Sequence, residues 1–148
     1  MPLSQNEIVL VRSTWGSAAA LGVEAVGVLL FRKIFSIAPE ALVLFPFASG
    51  PALYKSAALK KHAVNVVKTV GKAVELLEDL DTLVPILTSL GTRHVKYGIV
   101  EAHYLVVGQA LLETLAEGLG DDFTPEAKVA WEAVFGIVSE TMIGSNYQ

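Results

Sequence analysis

Apolar residues recur at three- and four-residue intervals along almost the whole chain, and alternation of period two never persists for more than a few residues. That pattern confines the fold to the all-α class, and turn and capping residues divide it into segments. Ser4 followed by Glu7 forms a capping box ahead of Ile8, Val11, Trp15 and Ala18, a stripe that stops at Gly22. A second helix, Val23–Ile37, carries Val26, Leu30, Ile34 and Ile37 on one face, and Pro39 suits the first turn of a short third. Residues 45–54 hold two prolines and a glycine and read as a loop. Ser56 then caps a long helix over residues 57–78, with Leu59, Ala63, Val66, Val70 and Val74 on its inner stripe and His62 beside it. Asp81 or Thr82 caps the next, with Pro85 in the first turn and Val84, Leu87, Leu90 and His94 in line, so that His94 points inward. Gly98 ends that helix and residues 101–117 make another. Gly118 and Gly120 break the chain before Thr124-Pro125-Glu126, which starts a last helix reaching about Ile143. The count is seven main helices, without repeats or low-complexity segments.

A chain of 148 residues suits one domain spanning residues 1–148 with its own core. At 53% hydrophobic and 18% charged residues it is richer in apolar side chains than an average soluble domain, which fits a core that must also wrap something. The net charge of -4 argues against nucleic acid as a partner, and Arg32-Lys33 and Lys60-Lys61 read as solvated helix faces. The absence of cysteine excludes disulfides, thiolate metal sites and cysteine nucleophiles. Glu7 and Arg12 interrupt the N-terminal apolar stretch, so no signal peptide is expected, and Pro2 stands where myristoylation needs glycine. The uncharged runs fall short of a membrane span, which leaves a cytoplasmic protein with no membrane partner as the expectation.

Chemistry concentrates at two of the three histidines. His94 stands in an aliphatic stripe, where an unpaired polar ring costs about 1–3 kcal/mol unless something engages its nitrogen. Iron would satisfy that need. The Leu90 carbonyl, one turn earlier, is placed to accept the other ring N–H, leaving the outer nitrogen its lone pair. His62 lies one turn before Val66, so the two side chains cover one side of a flat ligand. A histidine there either hydrogen-bonds a gas on the iron or binds the iron itself. His103, among Glu101, Ala102 and Tyr104, reads as structural or solvent-facing. Two histidines make no zinc site unaided, and His-Glu-x-x-His, phosphate-loop and nucleophile-elbow patterns are all absent.

Several segments now fall into a family pattern. Trp15 stands in the first helix, Pro39 is followed six residues on by Phe45, and LKKHAVNVV and LGTRHVKYGI place His62 and His94 32 residues apart. In this order and spacing they resemble the globin family over nearly the whole chain. Within it, LFPF, LGTRH, VGQALLETL and FTPEAKVAW are most similar to the neuroglobin and invertebrate nerve-globin group. The resemblance implies a globin fold of seven to eight helices around haem b (iron protoporphyrin IX), with His94 as the proximal ligand and His62 as the distal residue. It puts Phe31 over the distal pocket with Val66, and Leu44, Phe45, Leu90, Ile99 and Tyr104 around the haem. It further implies reversible binding of dioxygen, carbon monoxide or nitric oxide, an unidentified reductase, and a monomer or homodimer. Members of this group tend to be hexacoordinate, with the distal histidine on the iron until a gas displaces it. Phe47 and Asn65 stand where neuroglobins often carry Tyr and Lys toward the propionates, whereas Arg93 is placed to pair with one. Redox chemistry on nitric oxide or nitrite, gas or redox sensing, and a haem-free interaction module remain as alternatives.

Overall fold

Most of the expected helix starts carry a hydrogen bond. Ser4 Oγ accepts from the Glu7 amide while the Glu7 carboxylate accepts from the Ser4 amide, closing the box that opens α1 (Gln5–Ala19). Gly22 introduces α2 (Val23–Ile37), and Ser56 Oγ caps α3 (Ala57–Glu75) through the Leu59 amide. Thr124 caps α6 (Pro125–Ile143) through the Ala127 amide, after α5 (Glu101–Leu119). In α4 (Leu80–Lys96) the cap is Asp79, earlier than the expected Asp81 or Thr82, because its carboxylate reaches both the amide and the hydroxyl of Thr82. For the same reason α3 stops at Glu75 and not at residue 78, and the chain turns between the two helices with the Asp79 amide on the Leu76 carbonyl.

The computed structural model describes residues 3–44, 53–144 and 146–147. Among them are six α-helices and three short 3-10 segments, Pro39–Leu44, Leu53–Lys55 and Gly120–Asp122, and no strand. The expected seven to eight helices are therefore too many by one or two. The shortfall lies at Pro39, where the short third helix is the six-residue segment Pro39–Leu44. So short a stretch settles into i→i+3 bonding. Of the loop expected over residues 45–54, residues 45–52 lie outside the described residues.

The buried apolar side chains form two clusters. The larger gathers Val11, Leu30, Leu59, Leu111, Leu115 and Trp131 from five helices. Trp131 is fully buried there, its Nε1–H donating to Thr14 Oγ1 at 2.8 Å and its ring lying 5.7 Å from that of Trp15. The smaller joins Ala73, Leu83, Leu87, Tyr104 and Met142, with Leu90, Ile99 and Tyr147 packed against it. α2 packs chiefly on α3 and α5, whereas α4 packs on α6. That partnership corrects the expected α4 stripe. Leu83, Leu87 and Gly91, spaced i, i+4, i+8, turn inward, and Val84 is 42% exposed. On α3 the buried line is Leu59, Ala63, Val67 and Val74, with Val66 and Val70 half-buried. No single described helix is long and apolar enough to cross a membrane.

Candidate functional site

The first half of the site follows from the close approach of α3 to α2. A Cβ on Gly27 would stand 2.8 Å from that of Ala63, so only glycine lets the two backbones meet there. His62, next to Ala63, is thereby set with its ring 5.4 Å from that of Phe31, one turn after Gly27. Val66 lies one turn further along α3, half-buried against the larger cluster.

The second half is built on α4. His94 Nδ1 lies 2.8 Å from the Leu90 carbonyl oxygen. A carbonyl only accepts, so Nδ1 carries the proton and Nε2 keeps the lone pair. No hydrogen bond from the described residues engages that Nε2. Burial lowers the pKa of His62 below the usual histidine value, and the nearby His94 lowers it further. Burial also lowers that of His94, partly offset by the Leu90 carbonyl and reinforced by Arg93. Both rings are neutral at pH 7, the form in which imidazole binds metals.

Backbone and side-chain bonds hold His94 in place. Gly98, with φ +87°, takes the left-handed position that closes a Schellman motif. The Ile99 amide donates back to the His94 carbonyl and the Gly98 amide to that of Val95, both at 3.1 Å. The Ile99 carbonyl in turn accepts from the Tyr147 hydroxyl at 2.7 Å. Tyr104 meets Tyr147 edge-on at 6.0 Å and lies 6.4 Å from the His94 ring. Burial raises its phenol pKa well above the usual value and keeps it neutral. On the other side of α4, a Cβ on Gly91 would overlap the Met142 carbonyl oxygen. Beside that crossing, Asn146 accepts from the Thr92 hydroxyl at 3.0 Å and donates to the Met142 carbonyl at 2.9 Å.

The residues expected from the sequence therefore divide. Phe31, His62 and Val66 stand on the side of the larger cluster; Leu90, His94, Ile99 and Tyr104 on that of the smaller. Leu44 lies beside the turn after α4, its Cδ2 3.5 Å from where a Cβ on Gly98 would be. Phe45 and Phe47 fall outside the described residues. His103 accepts from the Val100 amide at 3.0 Å, a structural role at the start of α5. Gly91, Asn146 and Tyr147 were not anticipated; a glycine between Leu87 and His94 was the available signal, because in mid-helix it marks close backbone approach.

A core split in two, with a neutral imidazole at the edge of each part, fits an apolar planar group better than a bare cation. No group of three His, Cys, Asp or Glu side chains that would complete a metal's coordination occurs among the described residues. A porphyrin brings four equatorial nitrogens of its own and asks the protein only for axial ligands. A cleft of about 330 Å³ also opens between α3 and α4, lined by Lys68, Thr69, Leu83 and Leu87 among others.

Residues 28–142 match the family model described as Globin. The neuroglobin of Danio rerio is 32% identical over 146 residues, covering 95% of this chain and 90% of that protein. The neuroglobin of Tetraodon nigroviridis shows the same identity and coverage. Among solved structures, a hexacoordinated heme protein from an anhydrobiotic tardigrade, determined at pH 4, superposes with a TM-score of 0.88. It is 19% identical, and the match covers 98% of this chain and 96% of that one, a likeness of fold.

Proposed function

The chain belongs to the globin family, and on that premise we propose that it holds haem b between α3 and α4 as a single domain and binds diatomic gases reversibly. The observation that carries this reading is His94, whose Nδ1–H is committed to Leu90, which leaves Nε2 its lone pair on a ring 6.4 Å from that of Tyr104 in the smaller cluster. In this reading His94 is the fixed axial ligand. Leu90, Ile99 and Tyr104 pack on its side and Leu44 at the edge, while Phe31, Val66 and Phe45 exclude water from the other. When bound, the haem supplies an iron coordination position open to dioxygen, carbon monoxide or nitric oxide.

His62 decides how open that position is. As a neutral imidazole held beside Phe31, it offers a lone pair to the iron or a ring N–H to a bound gas, and we assign it the former role in the resting protein. The likeness to neuroglobins and the fold shared with a hexacoordinated heme protein support this choice. An incoming gas then competes with His62, and its apparent affinity is lowered by the fraction of protein in the open form.

Rapid mixing of the ferrous protein with carbon monoxide tests the assignment. The wild-type rate should saturate with gas concentration, limited by departure of His62, and His62→Leu should bind faster by at least about tenfold with a linear dependence. Equal, linear rates in both proteins would overturn it.

A further inference from the structure

Charge is strongly segregated along this chain. Residues 53–74 hold five lysines and no acidic residue, and residues 82–100 hold Arg93 and Lys96 and again no acidic residue. All 15 acidic side chains lie elsewhere, although the chain as a whole carries -4. Four positions of α3, Lys61, Asn65, Lys68 and Lys72, follow at i, i+4, i+7 and i+11 and are all exposed, which makes one outward face at 100° per residue. His62 and Thr69 occupy the flank between this face and the core, and Lys68 and Lys72 line the cleft between α3 and α4. On α4, Arg93 and Lys96 are exposed on either side of His94. Among the described residues only Lys72 of these five cations has a carboxylate within reach, Glu75 at 3.9 Å. Surface cations left without counter-charges, beside a site and on an otherwise acidic protein, form a field that attracts an acidic surface and turns it toward that site.

We propose that this basic face, formed by Lys61, Lys68 and Lys72 with Arg93 and Lys96, docks an acidic one-electron carrier protein that reduces the haem iron. The inference rests on the haem reading given above. In the transfer the reduced carrier gives one electron to ferric iron; the carrier becomes oxidised, the iron ferrous, and no group or proton changes hands. On α3, where three of the five cations lie, no large apolar side chain is exposed to insert among lipids, whereas Val95 and Tyr97 are exposed beside Arg93 and Lys96; the α3 face therefore suits a rigid acidic protein better than an anionic membrane. Redox encounters of this kind use small, charge-rimmed interfaces, which a face of five cations suffices to define.

A reduced plant-type [2Fe–2S] ferredoxin, acidic and low in potential, serves as the probe. Its affinity for the chain as purified is measured by calorimetry between 20 and 300 mM salt, and its rate of haem reduction by stopped flow. Both should fall at least about tenfold across that range. The variant Lys61→Glu/Lys68→Glu/Lys72→Glu should lose at least tenfold in each at low salt while keeping the wild-type haem spectrum and its rate with dithionite. Salt-independent association, or a variant that binds the probe as the wild type does, would overturn the proposal. So would tighter, lysine-dependent binding to phosphatidylserine vesicles than to ferredoxin. Failure to take up haem would instead sink the functional reading, and the calorimetric readout, which needs no electron transfer, separates the two failures.

Discussion

His94 gains its meaning from atoms that are not side chains. Its tautomer is set by the Leu90 carbonyl and its main-chain position by the Ile99 amide, so substitutions around it act on the metal site only through helix geometry. Tyr104 offers a cleaner residue-scale test, because its exposure is 6% and its phenol pKa is raised by that burial. A raised phenol pKa means that the folded protein holds the proton more tightly than the unfolded chain does. The resulting stability is fully present below about pH 10 and is lost as pH rises through the folded value. Urea midpoints of the wild type should therefore drop more steeply above pH 10 than those of Tyr104→Phe. The difference in slope approaches about 1.4 kcal/mol per pH unit. Parallel pH profiles would contradict the burial argument.

Among the elements, α4 depends most on a single partner. It carries His94 yet packs mainly on α6, through the Gly91 crossing and the side chain of Asn146. Asn146→Ala removes bonds worth about 1 kcal/mol each. In the haem-free protein it should speed amide exchange in α4 by roughly tenfold and leave α5 unchanged. Equal exchange in both helices, or none gained in either, would show that α4 is held some other way. The same helix shows what the sequence makes legible. The start and stop signals at Ser4, Ser56, Gly98 and Thr124 are local, and each is realised as a hydrogen bond or a left-handed turn. The facing of α4 is not local. Periodicity alone put Val84 and Leu90 in line with Leu87, whereas docking on α6 keeps Leu87 and selects Leu83 and Gly91 with it. The short third helix expected at Pro39 is present as the 3-10 segment Pro39–Leu44, because so few residues do not sustain α-helical bonding.

At the scale of the whole molecule, the division of the core into two clusters is what gives the histidine pair a purpose. His62 sits at the edge of one cluster and His94 at the edge of the other, and a planar apolar group held between them would join the halves. A ligand that binds only the folded chain raises its stability in proportion to the logarithm of its concentration over its Kd, so haem binding and folding would be coupled. The central claim is that both histidines meet the same iron. The visible absorption spectrum of the deoxygenated ferrous haem protein tests it most directly. The account predicts two sharp bands for the wild type and a single broad band for each of His62→Leu and His94→Leu; two sharp bands that survive His94→Leu would contradict it.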